Sequence, residues 1–226
     1  TKLLVLPYPN NPTGAIMRRE DLEAIAKVLK DTNIMIASDE IYSELTYSGK
    51  HCSIAEIEGM RERTIVINGF SKSFAMTGWR LGFLGGPKEI VSQMLKLHQY
   101  AIMSSPTVSQ YAAIVAMHSC QKDIDAMRNE YNIRRRFVVD SFNKLGLKCF
   151  APQGAFYVFP CIKSTGMTST DFCEKLVYTK KVAVVPGDAF GECGEGYVRV
   201  SYAYSLNHLR EAIKRIGEFL EDIKNG

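Results

Sequence analysis

The sequence predicts an α/β fold: a mainly parallel sheet with helices on both faces, followed by a smaller α/β unit. Short, continuous apolar segments alternate with helical patterns up to Pro87, and such segments are typical of parallel strands that are buried on both faces. A long helical region follows, and the rest of the chain mixes short strand patterns with helices. The chain has 226 residues, of which 46% are hydrophobic, and this is enough to bury one sizeable core or slightly more.

The first part of the chain contains four predicted strands, which are the apolar segments at residues 3–6, 34–37, 64–67 and 81–84. A helix between the first two is predicted by apolar residues at the spacing i, i+3, i+4 and i+7, namely Leu22, Ile25, Ala26 and Leu29. The first strand starts almost at Thr1 and is of the type that lies inside a sheet, with neighbours on both sides. We therefore expect the sequence to be the later part of a longer polypeptide.

The second part begins with a helical pattern over residues 88–145, broken at 104–106. Within this pattern an apolar stripe predicts core packing, and it consists of Met127, Tyr131, Val138, Phe142 and Leu145. Later elements are short strands and helices, predicted at 155–159, 170–178, 182–185, 197–202 and 209–223. We place a domain boundary after residue 120, so that residues 1–120 belong to a larger domain. Residues 121–226 then form a long connecting helix and a small C-terminal domain.

Composition and charge argue against several classes of function. The formal net charge is +4, and the Lys and Arg residues are spread along the chain, which does not favour a nucleic acid as partner. The one basic run, at residues 134–136, lies in a helical pattern and is interpreted as a solvated face. The six cysteines lack paired spacings and the four histidines are dispersed, so we expect reduced thiols in a cytoplasmic protein and no metal site. No segment has the roughly 20 apolar residues of a membrane span.

Polar residues suited to binding or catalysis follow three of the predicted strands. Asn11 follows the first strand, Asp39 and Tyr42 follow the second, and Ser71 and Lys72 follow the third. Each residue alone has a structural explanation, as a turn former, a helix cap or a surface side chain. Because ligands collect outside the carboxyl ends of the strands in open α/β sheets, their coincidence at one sheet edge favours a site.

A lysine beside a carboxylate and a phenol suits a Schiff base with an aldehyde cofactor, and pyridoxal phosphate (PLP) is the candidate. PLP needs a carboxylate at its pyridine nitrogen, which Asp39 can supply, and a cation at its phosphate. Arg80 follows Lys72 by eight positions, and its planar guanidinium suits phosphate oxygens better than a lysine does. The neighbouring Glu40 is interpreted as structural.

Four motifs carry these residues: P-N-N-P-T-G at 9–14, S-D-E-I-Y at 38–42, G-F-S-K-S-F-A-M-T-G-W-R-L-G at 69–82 and Y-V-R-V-S at 197–201. They resemble the motifs of the fold type I, PLP-dependent class I/II aminotransferases, the aspartate and aromatic aminotransferase relatives. The motifs follow the order of the family and cover essentially the whole chain. The resemblance implies a PLP-dependent transferase-like fold, with residues 1–120 as the later part of its large domain.

The resemblance also implies a role for each residue at the cofactor. Lys72 would form the Schiff base with PLP and later move the proton between the substrate α-carbon and the cofactor. Asp39 would pair with the pyridine nitrogen. Tyr42 and Asn11 would hydrogen-bond the phenolic oxygen of the cofactor.

The resemblance also implies which residues bind the cofactor phosphate and the substrate. Ser71 and Arg80 would bind the cofactor phosphate, and Arg199 would bind the substrate α-carboxylate with help from Asn11. Without the other motifs, Arg199 would be read as an exposed arginine of an alternating strand. Many relatives carry a hydroxyl three residues before the lysine, whereas this chain has Gly69. One phosphate contact would then be lost or replaced by backbone.

The leading interpretation of function is an aminotransferase, which moves an amino group between an amino acid and a 2-oxo acid. We expect a cytoplasmic protein that forms a homodimer at full length and has no nucleic-acid or membrane partner. The alternatives are a PLP-dependent β-lyase or synthase, the effector domain of a PLP-binding transcription regulator, and a non-catalytic fragment. The family's phosphate loop, ring-stacking aromatic and cross-subunit residue are not found in the 226 residues, so we expect this segment alone to be incomplete and inactive.

Overall fold

The chain divides into two units in the computed structural model, which describes residues 1–225. The first unit contains residues 1–10, 15–128 and 153–155. The second contains residues 11–14, 129–152 and the described residues from 156 onward. Each unit has its own sheet, and the predicted α/β class is confirmed.

The sheet of the first unit has four strands in the order β1-β2-β3-β4, which are β1 (Leu3–Pro7), β2 (Met35–Asp39), β3 (Thr64–Gly69) and β4 (Gly82–Gly85). β1, β2 and β3 pair in parallel, as predicted, whereas β4 runs antiparallel to β3. β1 lies at one edge of the sheet, where Leu3 and Val5 are 49% and 56% exposed. The expected second neighbour of this strand is therefore not found within residues 1–225.

The first helix packs the predicted apolar face onto this sheet. Helix α1 (Arg19–Leu29) buries Leu22, Ala26 and Leu29, and these residues join Leu6 of β1 and Ile36 of β2 in one apolar cluster. The helical spacing of the apolar residues thus predicts both the element and its buried side. Full burial of a leucine side chain contributes roughly 1.5–3 kcal/mol. Burial of this helix face therefore stabilises the strands β1 and β2, on which it packs.

The remaining helices of the first unit are α2 (Phe70–Ser73), α3 (Lys88–Ala101) and α4 (Thr107–Ser119). The predicted break near Pro106 separates α3 from α4. A second break, which the helical pattern does not reveal, occurs at Cys120, whose N–H bonds to the carbonyl of Ala116 and ends α4. The long helix α5 (Gln121–Lys144) then includes residues of both units.

The sheet of the second unit has three strands, β5 (Tyr157–Val158), β6 (Val185–Pro186) and β7 (Val198–Ser201). Their order is β5-β7-β6 and both pairs are antiparallel, so the central strand is the last one in the chain. Helices α6 (Ser169–Lys180) and α7 (Leu206–Asn225) complete the unit. They pack through the rings of Phe172 and Phe219, whose centroids lie 5.2 Å apart.

The basic run of α5 is less solvated than the sequence predicts. Arg135 donates from Nη1 to the carbonyl of Pro152 at 2.7 Å. Arg134 donates to Glu130 at 2.9 Å and lies over the ring of Tyr131, 5.6 Å from its centroid. Both arginines are half-buried and only Arg136 is exposed, so the interpretation as a solvated face is wrong for two of the three residues. Long cationic side chains cover apolar surface with their stems, which a charge pattern does not reveal.

The cysteines offer no reactive thiol in the buried parts of the molecule. All six are free, and burial raises the pKa values of Cys149 and Cys173 to about 12. At neutral pH these two thiols are protonated and are poor nucleophiles. Within residues 1–225, no helix combines the length and the apolar character that a membrane crossing requires.

Candidate active site

Asp39 is the last residue of β2, where this strand ends beside both of its parallel neighbours. It is in register with Pro7 of β1 and Ile67 of β3. Its side chain is half-buried, and Oδ1 accepts a hydrogen bond from the N–H of Ile41 at 3.2 Å. This local bond orients the carboxylate at the carboxyl edge of the sheet, where ligands of α/β proteins bind.

Glu40, the residue that follows β2, is buried in a polar network. Its Oε1 accepts hydrogen bonds from the hydroxyls of Ser38 (2.9 Å) and Ser53 (2.6 Å), and its Oε2 lies 2.7 Å from Nε2 of His51. Burial by itself raises the pKa of the Glu40 carboxyl, but the bonds with His51 and the two serines outweigh it, so that the pKa lies below its usual value. This carboxylate is engaged within the fold, in agreement with the structural interpretation.

Tyr42 lies three residues after Asp39, at the start of a 3-10 turn over Ser43–Leu45. The tyrosine is buried, with 6% of its surface exposed. The turn is tied to the end of β3, because Asn68 donates from Nδ2 to the hydroxyl of Ser43 at 3.1 Å. The segment that follows β2 is therefore joined directly to the last part of β3.

Ser71 and Lys72 lie on α2, the single helical turn that begins where β3 ends. Both side chains are half-buried. The turn is anchored by Phe70, which is 4% exposed and packs its ring 5.1 Å from Phe74 and 5.8 Å from Phe83. Packing on one side of the turn thus fixes the position of the lysine on the other.

Arg80 ends the segment that α2 begins. It has a left-handed backbone (φ 53°, ψ 50°), is exposed, and donates from Nη1 to the carbonyl of Thr77 at 2.8 Å. The next carbonyl, of Leu81, accepts from the N–H of Phe70 at 3.2 Å. One closed loop between β3 and β4 therefore carries Ser71, Lys72 and Arg80; it is called the lysine loop below.

Gly69 has a packing reason for lacking a side chain. A Cβ at this position would lie 3.1 Å from the Cα of Gly82 and 3.2 Å from Cδ1 of Ile41. Gly69 and Gly82 are partners in the antiparallel pairing of β3 and β4. The departure from the family pattern thus accompanies a close approach of the two strands at the base of the lysine loop.

Arg199 lies on the central strand β7 of the second unit and contacts three side chains. Its Nη1 donates to Oδ1 of Asn11 at 2.8 Å. Its Cζ lies 4.6 Å from the ring centroid of Tyr157 and 4.9 Å from that of Phe190. Its Nε is buried and has no hydrogen-bond acceptor among the described residues. A buried donor without an acceptor costs about 1–3 kcal/mol, so this N–H is available to an acceptor of a ligand.

The structure brings the predicted residues together in two groups. In the first unit, Asp39 and Tyr42 follow β2, and the lysine loop follows the adjacent strand β3. In the second unit, Asn11 and Arg199 are hydrogen-bonded across 188 positions of sequence. The donor set of the first unit fits PLP, because it offers a carboxylate, a phenol, an amine, a hydroxyl and a guanidinium.

The sequence reasoning missed the two aromatic partners of Arg199. Tyr157 lies within a predicted strand, and Phe190 follows the turn-rich segment at residues 186–188. Both are aromatic residues in or next to short strands of the same small unit, which is a weak signal. Their contact with an arginine depends on the order of the strands, which no local pattern contains.

Comparisons with known proteins agree with these features. A family model described as "Aminotransferase class I and II" matches residues 1–216. The curated relative "Putative aminotransferase YugH" of Bacillus subtilis is 49% identical over 220 residues, which are 97% of this chain and 57% of the relative. An aspartate aminotransferase of Pyrococcus abyssi is 47% identical over 227 residues, 99% of this chain and 58% of the relative.

Solved structures give the same result. The crystal structure of an aromatic aminotransferase from Pyrococcus horikoshii OT3 matches with a TM-score of 0.96 and 45% identity. The match covers 99% of this chain and 61% of that one. The chain thus spans somewhat more than half the length of the proteins that it matches.

Proposed function

The chain belongs to the class I and II aminotransferase family, as its motifs predicted, and we propose that its protein transfers an amino group between an amino acid and a 2-oxo acid with PLP as cofactor. The observation that carries this proposal is the lysine loop, which holds Lys72 and Arg80 beside the strand that ends in Asp39. An amine, a phosphate-binding cation and a carboxylate at one sheet edge are the groups that this chemistry needs.

When bound, PLP supplies an electron-withdrawing ring that makes the substrate α-proton easier to remove. The Asp39 carboxylate would hold a proton at the pyridine nitrogen by charge pairing. The Tyr42 hydroxyl would donate a hydrogen bond to the phenolic oxygen. The Asp39 carboxylate accepts the bond from the Ile41 N–H and the Tyr42 side chain is buried, so both groups would need little reorganisation when the cofactor binds.

The lysine loop would do the proton transfer and hold the phosphate. The Nζ of Lys72 would take the proton from the substrate α-carbon and pass it to the cofactor, and it would move a proton in the opposite direction in the half-reaction with the 2-oxo acid. The Ser71 hydroxyl and the Arg80 guanidinium would bind phosphate oxygens. A guanidinium has five N–H donors, so the bond from Nη1 to Thr77 leaves other donors of Arg80 for the phosphate.

Arg199 would bind the α-carboxylate of the substrate. A guanidinium matches a carboxylate through two parallel N–H bonds, which orient the substrate as well as bind it. Asn11 supports this by accepting one N–H of the arginine. Both roles predicted for Asn11, toward the substrate and toward the cofactor, stay predictions.

Three finer properties belong to the same proposal. We propose a homodimer, a cytoplasmic location, and an acidic or aromatic amino donor, since relatives are named for aspartate and for aromatic amino acids. The six free cysteines support a reducing compartment.

The central assignment is tested on the protein expressed from its complete reading frame and loaded with PLP. We expect turnover with 2-oxoglutarate and at least one donor among aspartate, phenylalanine and tyrosine. Borohydride reduction followed by peptide mapping should place the pyridoxyl label on Lys72, and Lys72→Ala should remove both label and turnover. Label on another lysine would refute the role of Lys72, and absence of turnover with every donor would refute the proposed activity.

A further inference from the structure

Arg199 is held by two aromatic rings as well as by Asn11. We propose that Tyr157 and Phe190 are positioning residues, which hold the Arg199 guanidinium in the orientation in which it binds the substrate carboxylate. The assignment rests on the proposed function, because it concerns the carboxylate of the same substrate.

The two rings reach the guanidinium from different neighbours of its strand. Tyr157 lies on β5, and Phe190 follows β6, so β7 stands between the elements that supply them. Both distances from Cζ to the ring centroids, 4.6 and 4.9 Å, are within the roughly 6 Å of a cation–π contact. With the bond to Asn11, the guanidinium is therefore restrained by three residues, and each of them belongs to a different segment of the chain.

Tyr157 is fixed by the sheet. It is 7% exposed and pairs in register with Ser201, two residues after Arg199 on β7. A side chain at this diagonal position lies within reach of an aromatic ring. The ring also packs against Phe156, with centroids 4.8 Å apart.

Phe190 is fixed by its turn. The N–H of Gly187, at the start of this 3-10 turn, donates to the carbonyl of Tyr197 at 2.9 Å. A Cβ at Gly187 would lie 2.6 Å from the same carbonyl oxygen, so only glycine allows this approach. The Phe190 ring packs edge-on against Phe159, with centroids 6.3 Å apart. Through the bond from Gly187, the turn is attached to Tyr197, the residue directly before β7.

An arginine whose side chain is already ordered binds a ligand with higher affinity than one whose side chain is mobile. A long side chain loses rotamer freedom when it binds a ligand, and that cost lowers affinity. Rings that fix the guanidinium beforehand remove most of this cost, although they make no bond to the substrate themselves. Their effect must then pass through Arg199 and appear in the binding of the carboxylate.

The first test compares substitutions of Phe190 in the PLP-loaded protein, with the donor and 2-oxo acid pair that the wild type uses best. Phe190→Leu should raise both the KM for the donor and the calorimetric Kd for the 2-oxo acid about tenfold. kcat should change less than KM, and bound PLP should be unchanged. Phe190→Tyr, which keeps an aromatic ring, should restore the affinity. Phe150→Leu, at an exposed aromatic residue of the same unit, is the matched control and should leave both constants near wild type.

A second variant guards against simple misfolding. Phe190→Met keeps most of the apolar volume but has no aromatic face, and it should weaken binding in the same way while circular dichroism and the melting temperature stay close to wild type. Wild-type affinity in both Phe190→Leu and Phe190→Met would overturn the positioning role while leaving the proposed function in place. A wild-type protein that turns over no donor would overturn the proposed function, and the positioning role with it.

A double-mutant cycle separates positioning from general support of the fold. If Phe190 acts through the guanidinium, Phe190→Leu should change the Kd by less than about twofold in an Arg199→Lys background, because the group on which the ring acts is already gone. A further increase of about tenfold in that background would mean that the two substitutions act independently. That result would overturn the proposal.

Discussion

Adjacent acidic residues have different environments at the end of β2. Asp39 is half-buried at the carboxyl edge of the sheet, whereas Glu40 is buried among Ser38, Ser53 and His51. β2 ends between them, so one position of sequence separates a candidate ligand from a structural carboxylate. The motif alone shows two carboxylates, and only the hydrogen bonds of Glu40 identify it as the structural one.

Asp39→Ala should reduce transamination far more than Tyr42→Phe does. The first change removes the charge that keeps the pyridine nitrogen protonated, while the second removes one neutral hydrogen bond, worth about 0.5–1.5 kcal/mol or at most about tenfold in rate. We expect kcat/KM to show the difference when both variants are measured at equal PLP occupancy. Equal losses would argue against Asp39 as the partner of the pyridine nitrogen.

The buried carboxylate of Glu40 should make the free energy of unfolding depend on pH in the acidic range. Its pKa in the folded protein lies below the usual value of 4.5, so the carboxyl group stabilises the fold above that pH, and this contribution is lost as pH falls through the lower, folded-state pKa. Glu40→Gln should lower the free energy of unfolding at pH 7 by about 1–3 kcal/mol and flatten its decline below pH 4.5.

Denaturant unfolding at a series of pH values measures both effects. Glu44→Gln, on an exposed side chain four residues away, is the matched control and should retain the wild-type slope. An unchanged slope in Glu40→Gln would show that other groups cause the acid sensitivity.

Elements were predicted better than their edges and directions. Strong apolar periodicity identified α1, and three apolar segments identified β1, β2 and β3, because these patterns reflect burial directly. The strands β2 and β3 extend two residues beyond the predicted ends, to Asp39 and Gly69, since backbone pairing continues where the apolar pattern stops. The antiparallel direction of β4 was not predictable, because its four residues carry no signal of orientation.

The close approach of β3 and β4 should make Gly69 intolerant of side chains. Gly69→Ser would restore the hydroxyl that many relatives carry, but its Cβ would lie 3.1 Å from the Cα of Gly82. We expect a loss of about 1–3 kcal/mol in the free energy of unfolding, measured by denaturant titration. Gly85→Ser is the control, because no atom lies within 4 Å of a Cβ there. Equal stability of the two variants would mean that the strands separate at little cost.

At the scale of the whole molecule, the candidate site was predictable where it is local in sequence. Lys72 and Arg80 share one short loop, and a motif contains both. The contact of Arg199 with Asn11 joins positions 188 apart, and the rings of Tyr157 and Phe190 meet the arginine only through the strand order. Local patterns specify which residues are present, but long-range pairing decides which of them meet.

The chain passes repeatedly between the two units, and this limits how the protein can be dissected. A shortened gene that begins at residue 129 would encode β5, β6 and β7 with Arg199 in place, yet it would omit residues 11–14, which belong to the same unit. Its product would lack the Asn11 oxygen that accepts from the arginine. Trimming either terminus therefore cannot excise this unit intact. A single-chain version would need residues 11–14 grafted back through a linker or a circular permutation.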